Sequence, residues 1–366
     1  MISMEPVLRR GLTEWDRALF PPDEFSERLA AVQGAMRRAS LAALAMFSDA
    51  YHPSADLAYV AGWPMGGALL VTLEGEPAML TSDNGRGVYF QRWLTWIEDT
   101  SAAGGRIGPA LADALRRRGV KGAIGVTGDG LLSAQAYEKA RQALSDFELR
   151  PFEAELAALR RRKRPRELIA IRTALRIARG SVAAGQLAFE VGASNAAALA
   201  AAERSARLGR ARDFRGLANL EGADLRPYEA ASATRRPFLA LWCAVDFHGY
   251  WAEAASAPNS PDAHAEAALE AMLRVARPGA SGDDLARAAL AVLPSEAAQR
   301  ALSYGLGAGI GLSAQETPIV RPGGMDLLEP GAVLCLRVVG GEQDKPSLAS
   351  ALIAIGEDGA KRIEPL

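Results

Sequence analysis

The chain has little of what several classes of protein require. Two cysteines in 366 residues, Cys243 and Cys335, give no disulfide framework, and a reducing cytoplasm is the compartment that fits. Three histidines restrict any mechanism that depends on imidazole. No uninterrupted apolar run approaches the ~20 residues of a membrane span. Glu5, Arg9, Arg10, Glu14 and Asp16 precede the first apolar run, so a secretory leader is not expected. Charge of one sign is also missing: Lys+Arg 42 against Asp+Glu 43 gives a net charge of −1. No global field then recruits nucleic acid or an anionic membrane. The basic run Arg160–Arg166 follows Glu153 and Glu155 and precedes a helical pattern; it reads as a solvated helix start.

What is present is an ordinary globular composition, 49% hydrophobic and 23% charged, on a length that suits two domains. Apolar residues at Phe25, Leu29, Val32 and Met36 share one helical face over 24–40. A buried strand is expected over 41–47 and a hairpin over 68–72 and 77–81, followed by helices at 107–118 and 133–145 flanking a strand at 121–126. Strands alternating with helices predict an α/β domain over residues 1–152. From Glu153 to about Leu208 the pattern becomes long helices, with Pro165 and Glu167 marking a helix start. A hairpin over 238–254, helices at 261–276 and 281–292, and Gly-rich strands at 303–312, 332–339 and 348–355 follow. That grouping predicts an α+β domain over 153–366. Gly305, Gly307, Gly309 and Gly311 alternate without the Lys-Ser/Thr of a phosphate loop, and suggest close approach of another strand or a ligand.

Several segments, in order, resemble one family. Glu24-Phe25 with Arg28, Leu57–Gly62, the stretch Leu159–Glu167 and the linker Arg277–Leu285 are of its type. Tyr304–Leu312 followed by Glu316-Thr317-Pro318 resembles "Gly-x-Gly-His-Gly-Ile-Gly-Leu…Glu-x-Pro", and Leu328–Leu334 resembles "Leu-x-Pro-Gly-Met-Val". With Ile355–Gly359 near the end, these segments are similar to the creatinase/aminopeptidase P/prolidase family. The resemblance implies a creatinase-type α/β N-terminal domain followed by an α+β pita-bread domain.

That family holds two metal ions on two Asp, one His and two Glu. Carried over motif by motif, the resemblance puts Trp242 and Glu253 at the two Asp positions, Ala308 at the His, and Arg337 and Ser350 at the Glu positions. Only Glu253 is a hard anionic ligand, and two neighbouring divalent cations require several. The expectation is therefore a divergent member with no metal and no other cofactor. Arg337 and Glu253 are expected to pair across the vacated pocket, with Trp242 as an apolar wall. His248 falls near the turn of the 238–254 hairpin, well over ~10 Å from the pocket at ~3.3 Å per residue, and His264 reads as solvent-facing or structural. His52 is the one histidine worth testing for chemistry, and Cys335 shares a strand face with Arg337.

Two functional readings stand. The first is a metal-independent enzyme acting on a small polar metabolite by C–N hydrolysis or a related lyase or rearrangement step. In it Glu253 and Arg337 are catalytic, and Trp63, Tyr228, Trp242, Tyr250, Ala308, Glu316 and Ser350 bind substrate. The second is an inactive pseudo-peptidase that binds a ligand or a protein partner through the same cleft. The expected partners are a small molecule and, by resemblance, a second copy of the chain, met near Tyr59–Gly67; neither nucleic acid nor membrane is expected.

Overall fold

The structure, a computed structural model, describes residues 14–48, 54–63, 66–82, 85–227, 234–258, 260–342 and 345–366. The chain forms two compact units, divided after Arg160, later than the boundary expected after residue 152. Helix α6, which begins at Glu153, holds to the first unit through fully buried Leu156 and an Arg160–Asp56 ion pair of 2.9 Å. Among the described residues no helix is long and apolar enough to cross a membrane.

The first unit carries α1 (Pro22–Arg38), β1 (Ala43–Ser48), α2 (Ala55–Ala61), β2 (Gly67–Thr72), β3 (Ala78–Thr81), α3 (Gly85–Leu94) and β4 (Asp99–Ala102). It continues through α4 (Ile107–Arg117), β5 (Ile124–Thr127), α5 (Ala134–Ala143), β6 (Leu149–Pro151) and α6 (Glu153–Arg161). The strands form one sheet in the order β4-β3-β2-β1-β5-β6. β2 runs antiparallel to both neighbours, and the other pairs are parallel. α4 and α5 cover one face, packing Leu111, Leu115 and Leu144 over Phe47, Leu70 and Ile124; each such burial stabilises by roughly 1.5–3 kcal/mol. Arg28 of α1 is fully buried, bonded to Glu24 and the Tyr59 carbonyl, with its guanidinium over the Phe20, Phe25 and Tyr59 rings.

The second unit carries α7 (Pro165–Glu190), α8 (Asn195–Leu208), β7 (Asp213–Glu221), β8 (Asp224–Arg226), β9 (Leu241–Phe247), β10 (Tyr250–Ser256) and α9 (His264–Val275). After them come α10 (Gly282–Leu290), α11 (Ser295–Tyr304), β11 (Gly307–Gly309), β12 (Glu316–Ile319), β13 (Val333–Glu342), β14 (Lys345–Gly356) and β15 (Gly359–Arg362). Pro165 sits in the first turn of α7, where its missing N–H costs nothing, and Glu167 accepts from the Arg164 amide at 3.0 Å. α10 starts on a reciprocal cap between Ser281 and Asp284.

Two sheets result, ordered β10-β9-β7-β8 and β12-β11-β13-β14-β15. α7 and α8 pack on the first sheet. The second buries Leu334, Leu336, Val338, Ala351 and Ile353 against α9, α10 and α11. The facing sides meet through Leu217, Trp242, Ala255, Val339 and Leu348. The strand expected over 303–312 is corrected: α11 runs to Tyr304, and pairing is confined to Gly307–Gly309. A side chain at Gly307 would strike the Cys335 carbonyl at 2.4 Å, and one at Gly309 the Thr317 carbonyl at 2.5 Å. These two glycines permit close strand approach, as their alternation suggests.

Candidate functional site

The hairpin β9–β10 fixes its side chains by alternation. Ala255 stands opposite Trp242, and Glu253 opposite Ala244, so Trp242 and Glu253 project from one face toward the other sheet. Cys243 and Tyr250 project from the opposite face toward α7, where Cys243 Sγ donates to the Ala178 carbonyl at 3.5 Å and Tyr250 to Glu167 at 3.2 Å. On β13 the same rule separates Cys335, Arg337 and Val339 from the core residues Leu334, Leu336 and Val338.

The two inner faces bring Glu253 and Arg337 together. Arg337 Nη1 donates to both carboxylate oxygens of Glu253 at 2.8 Å each, and its Nε donates to the Tyr304 carbonyl at 3.3 Å. Trp242 Nε1 donates to Glu253 Oε2 at 3.1 Å. The Glu253 side chain is 4% exposed and that of Arg337 is 17%. Burial is the largest influence and works against the guanidinium charge, but the charge and hydrogen bond of Glu253 together with neighbouring Cys335 outweigh it and raise Arg337 above its ordinary pKa. The Nη2 of Arg337 has no protein partner among the described residues. The pair is thus lopsided: the carboxylate accepts three hydrogen bonds from two donors, while the cation keeps unused donors.

Cys335 lies beside this pair, and its thiol is raised well above the usual range, first by burial and then by the Glu253 charge, which outweigh the lowering effect of Arg337. Cys243 is pushed up to about 12, again mainly by burial. Neither is an activated nucleophile.

The remaining candidate residues divide. Ser350 stands opposite Arg337 on β14 and is partly exposed, and Ala308 pairs with Cys335 and is buried. Both are therefore strand neighbours of the pair. Glu316 receives Lys163 Nζ at 2.7 Å and the Ser313 amide at 3.2 Å, with Lys163 2% and Glu316 7% exposed. Its carboxylate is buried and held by one donor on each oxygen, in an ion pair with Lys163. Tyr250 was expected among the binding residues, but strand alternation puts its ring against α7, on the face away from Glu253. Trp63 stands in the first unit, its ring tilted against Phe20 at 6.3 Å. Tyr228 and His52 lie outside the described residues.

His248 occupies the two-residue turn between β9 and β10. It has φ +48°, followed by Gly249 at +82°, and Asp246 accepts the Gly249 amide at 2.6 Å. Asp246 also pairs with Arg212, and its burial is strong enough to raise its pKa despite that partner. His264 is exposed and bonds Asp262 at 2.9 Å at the start of α9. The basic run is corrected as well. Besides the Arg160–Asp56 pair, Arg161 meets Glu329 at 2.5 Å and Lys163 is buried on Glu316, so three of its cations are taken up by carboxylates rather than by solvent. Lys163 and Tyr304 went unassigned from sequence, because their partners lie 153 and 33 residues away with no periodic signal linking them.

A dinuclear metal centre does not fit this donor set. At the five positions the chain offers one carboxylate, an indole, a methyl, a guanidinium and a hydroxyl, and the guanidinium already holds both carboxylate oxygens. Among the described residues no group of three or more His, Cys, Asp or Glu side chains is placed to hold a metal ion.

Comparison with known proteins agrees with this architecture. Residues 28–162 match the Creatinase/Prolidase N-terminal domain and residues 262–364 match Metallopeptidase family M24. The second match begins after the hairpin that carries Trp242 and Glu253. No curated protein sequence matches the chain. Among solved structures it is similar to an X-Pro aminopeptidase from Thermotoga maritima MSB8, at 17% identity over 92% of this chain and 97% of that one, with a TM-score of 0.75. It is also similar to dipeptidase PepE from Mycobacterium ulcerans, at 20% identity over 97% and 98% and a TM-score of 0.74. A prolidase from Pyrococcus horikoshii OT3 gives 18%, 92% and 97%, and 0.72. At these identities the likeness is one of fold. Matches to both domain types, in order, together with this architecture, establish that the chain belongs to the creatinase/prolidase family, with a creatinase-type first domain and an M24 pita-bread second domain.

Proposed function

We propose that this chain is a metal-independent member of its family whose inter-sheet cleft binds a small polar ligand through a carboxylate or carbonyl oxygen at Arg337. The observation that carries the reading is the lopsided pair: Arg337 holds Glu253 through Nη1 alone and leaves Nη2 for a ligand. A guanidinium suits an anionic or carbonyl oxygen because its planar N–H donors match that geometry. Ser350, opposite Arg337, adds a hydroxyl at the rim, and Trp242 offers an aromatic wall. A homodimer belongs to the same proposal on the family resemblance alone, and sedimentation analysis tests it.

A second reading, turnover of that ligand by C–N bond cleavage, is favoured by one feature. Glu253 is a carboxylate buried beside a cation, a setting in which proton transfer is possible. Against it, both of its oxygens are already occupied by Arg337 and one of them also by Trp242; binding without peptide hydrolysis is therefore the primary reading.

A thermal-shift screen of small mono- and dicarboxylates and amides tests both, with Arg337→Gln and Arg337→Lys as controls. The expected hit stabilises the wild type and neither variant. Hydrolysis of an Xaa-Pro dipeptide that depends on added Mn²⁺ or Co²⁺ would overturn the proposal. Chelator-insensitive turnover of a hit would move the conclusion to the second reading.

A further inference from the structure

The first unit holds a cavity of about 600 Å³ at one end of its sheet, and its lining has no part in the site above. Ser48, the last residue of β1, and Ser82, which follows β3, stand at its edge. These are carboxyl ends of strands that run the same way. From β1 the sheet extends through β2–β4 on one side and β5–β6 on the other. At such a divergence the loops and helix starts separate and leave a crevice, which is where open α/β sheets take ligands. The volume lies inside the roughly 300–1,000 Å³ range of small-molecule sites.

The lining has a definite chemistry. Ile107, Pro109 and Leu132 make it largely apolar, and Arg106 and Lys139 are its only charged side chains among the described residues. No carboxylate is among them, and neither cation has an ion-pair partner in the described chain. α4 begins here without a side-chain cap. The Ile107 and Gly108 amides have no backbone acceptor among the described residues, and Pro109 has no N–H to give. Two free N–H groups at the positive end of an eleven-residue helix therefore add to the two side-chain cations. Two cations and two amides without partners among the described residues, around an apolar hollow, match a ligand with one anionic end and a hydrocarbon body.

We infer that this cavity is a second ligand site, which takes a small amphipathic monocarboxylate with its carboxylate between Arg106, Lys139 and the start of α4. Arg106 supplies a planar fork for the carboxylate, Lys139 a point charge, and the apolar wall holds the chain. Arg337 is not among its lining residues.

Calorimetric titration of the full chain with octanoate tests it, with 1-octanol as the uncharged comparator. The expected result is one octanoate bound per chain, with affinity reduced roughly tenfold or more by Arg106→Ala/Lys139→Ala and for 1-octanol. Both side chains are exposed, so the double variant keeps the fold. Ala136→Phe, which places a ring in the hollow, should reduce binding to a similar extent, and Arg337→Gln should leave it unchanged. The inference is overturned if octanoate does not bind, if the double variant or 1-octanol binds equally well, or if binding is lost in Arg337→Gln.

Discussion

Arg337 places a single nitrogen, Nη1, 2.8 Å from each oxygen of Glu253, joining β13 of one sheet to β10 of the other. The arrangement satisfies the carboxylate and leaves the far side of the guanidinium unused. Both residues stand where the family resemblance puts metal ligands.

Breaking this pair from one side strands a buried charge. Arg337→Ala is expected to cost roughly 3–5 kcal/mol in urea unfolding, because Glu253 is left without its cation. Glu253→Leu with Arg337→Met should recover most of that loss, since apolar replacement of a whole buried pair is often neutral or better. A single-variant cost under about 1 kcal/mol would show that the pair behaves as a surface ion pair.

The buried thiols give a pH-dependent prediction. A raised pKa keeps a thiol protonated as pH rises, and reactivity follows the thiolate. With Cys243 at about 12, roughly one molecule in ten thousand is thiolate there at pH 8. Cys335 shifts in the same direction. The native chain should therefore give no fast reaction with a disulfide reagent at pH 8, and the unfolded chain should titrate its two thiols. A fast native thiol would contradict the burial of Cys335 beside Glu253.

His248 is predicted to be a turn residue with no chemistry. Its φ of +48° followed by Gly249 at +82° is the geometry that Asn-Gly favours. His248→Asn should leave any ligand affinity unchanged and stabilise the chain by about 0.5 kcal/mol, a turn-propensity effect. Loss of affinity in that variant would return the imidazole to the site.

Much of this arrangement was legible in the sequence because short-range signals carry it. The apolar face of Phe25, Leu29, Val32 and Met36 gave α1, and the hairpin of β2 and β3 was visible from its turn. Ordered motifs gave the family, and strand alternation put Cys335 and Arg337 on one face. What escaped notice depends on distant partners. β7, with Gly216 and Asn219 in an apolar run, lacks β-branched residues and gave no strand signal. Asn219 earns its place through bonds to Asn195 and the Ala240 amide, which no periodicity reveals. Tyr250 was expected among the binding residues, but three residues along a strand from Glu253 place it on the opposite face. The basic run looked solvated because its carboxylates, Asp56, Glu316 and Glu329, lie far away along the chain.

The exchange of metal ligands for an ion pair is tested most directly by metal content and metal titration of the intact chain. Elemental analysis of purified protein, followed by calorimetric titration with Mn²⁺, Co²⁺ and Zn²⁺, should find no stoichiometric metal and no saturable heat, with melting unaffected by chelator. Stoichiometric metal that is lost in Glu253→Gln, with peptidase activity returning on reloading, would show that a metal centre forms at the Glu253–Arg337 site and would contradict the pair as its replacement.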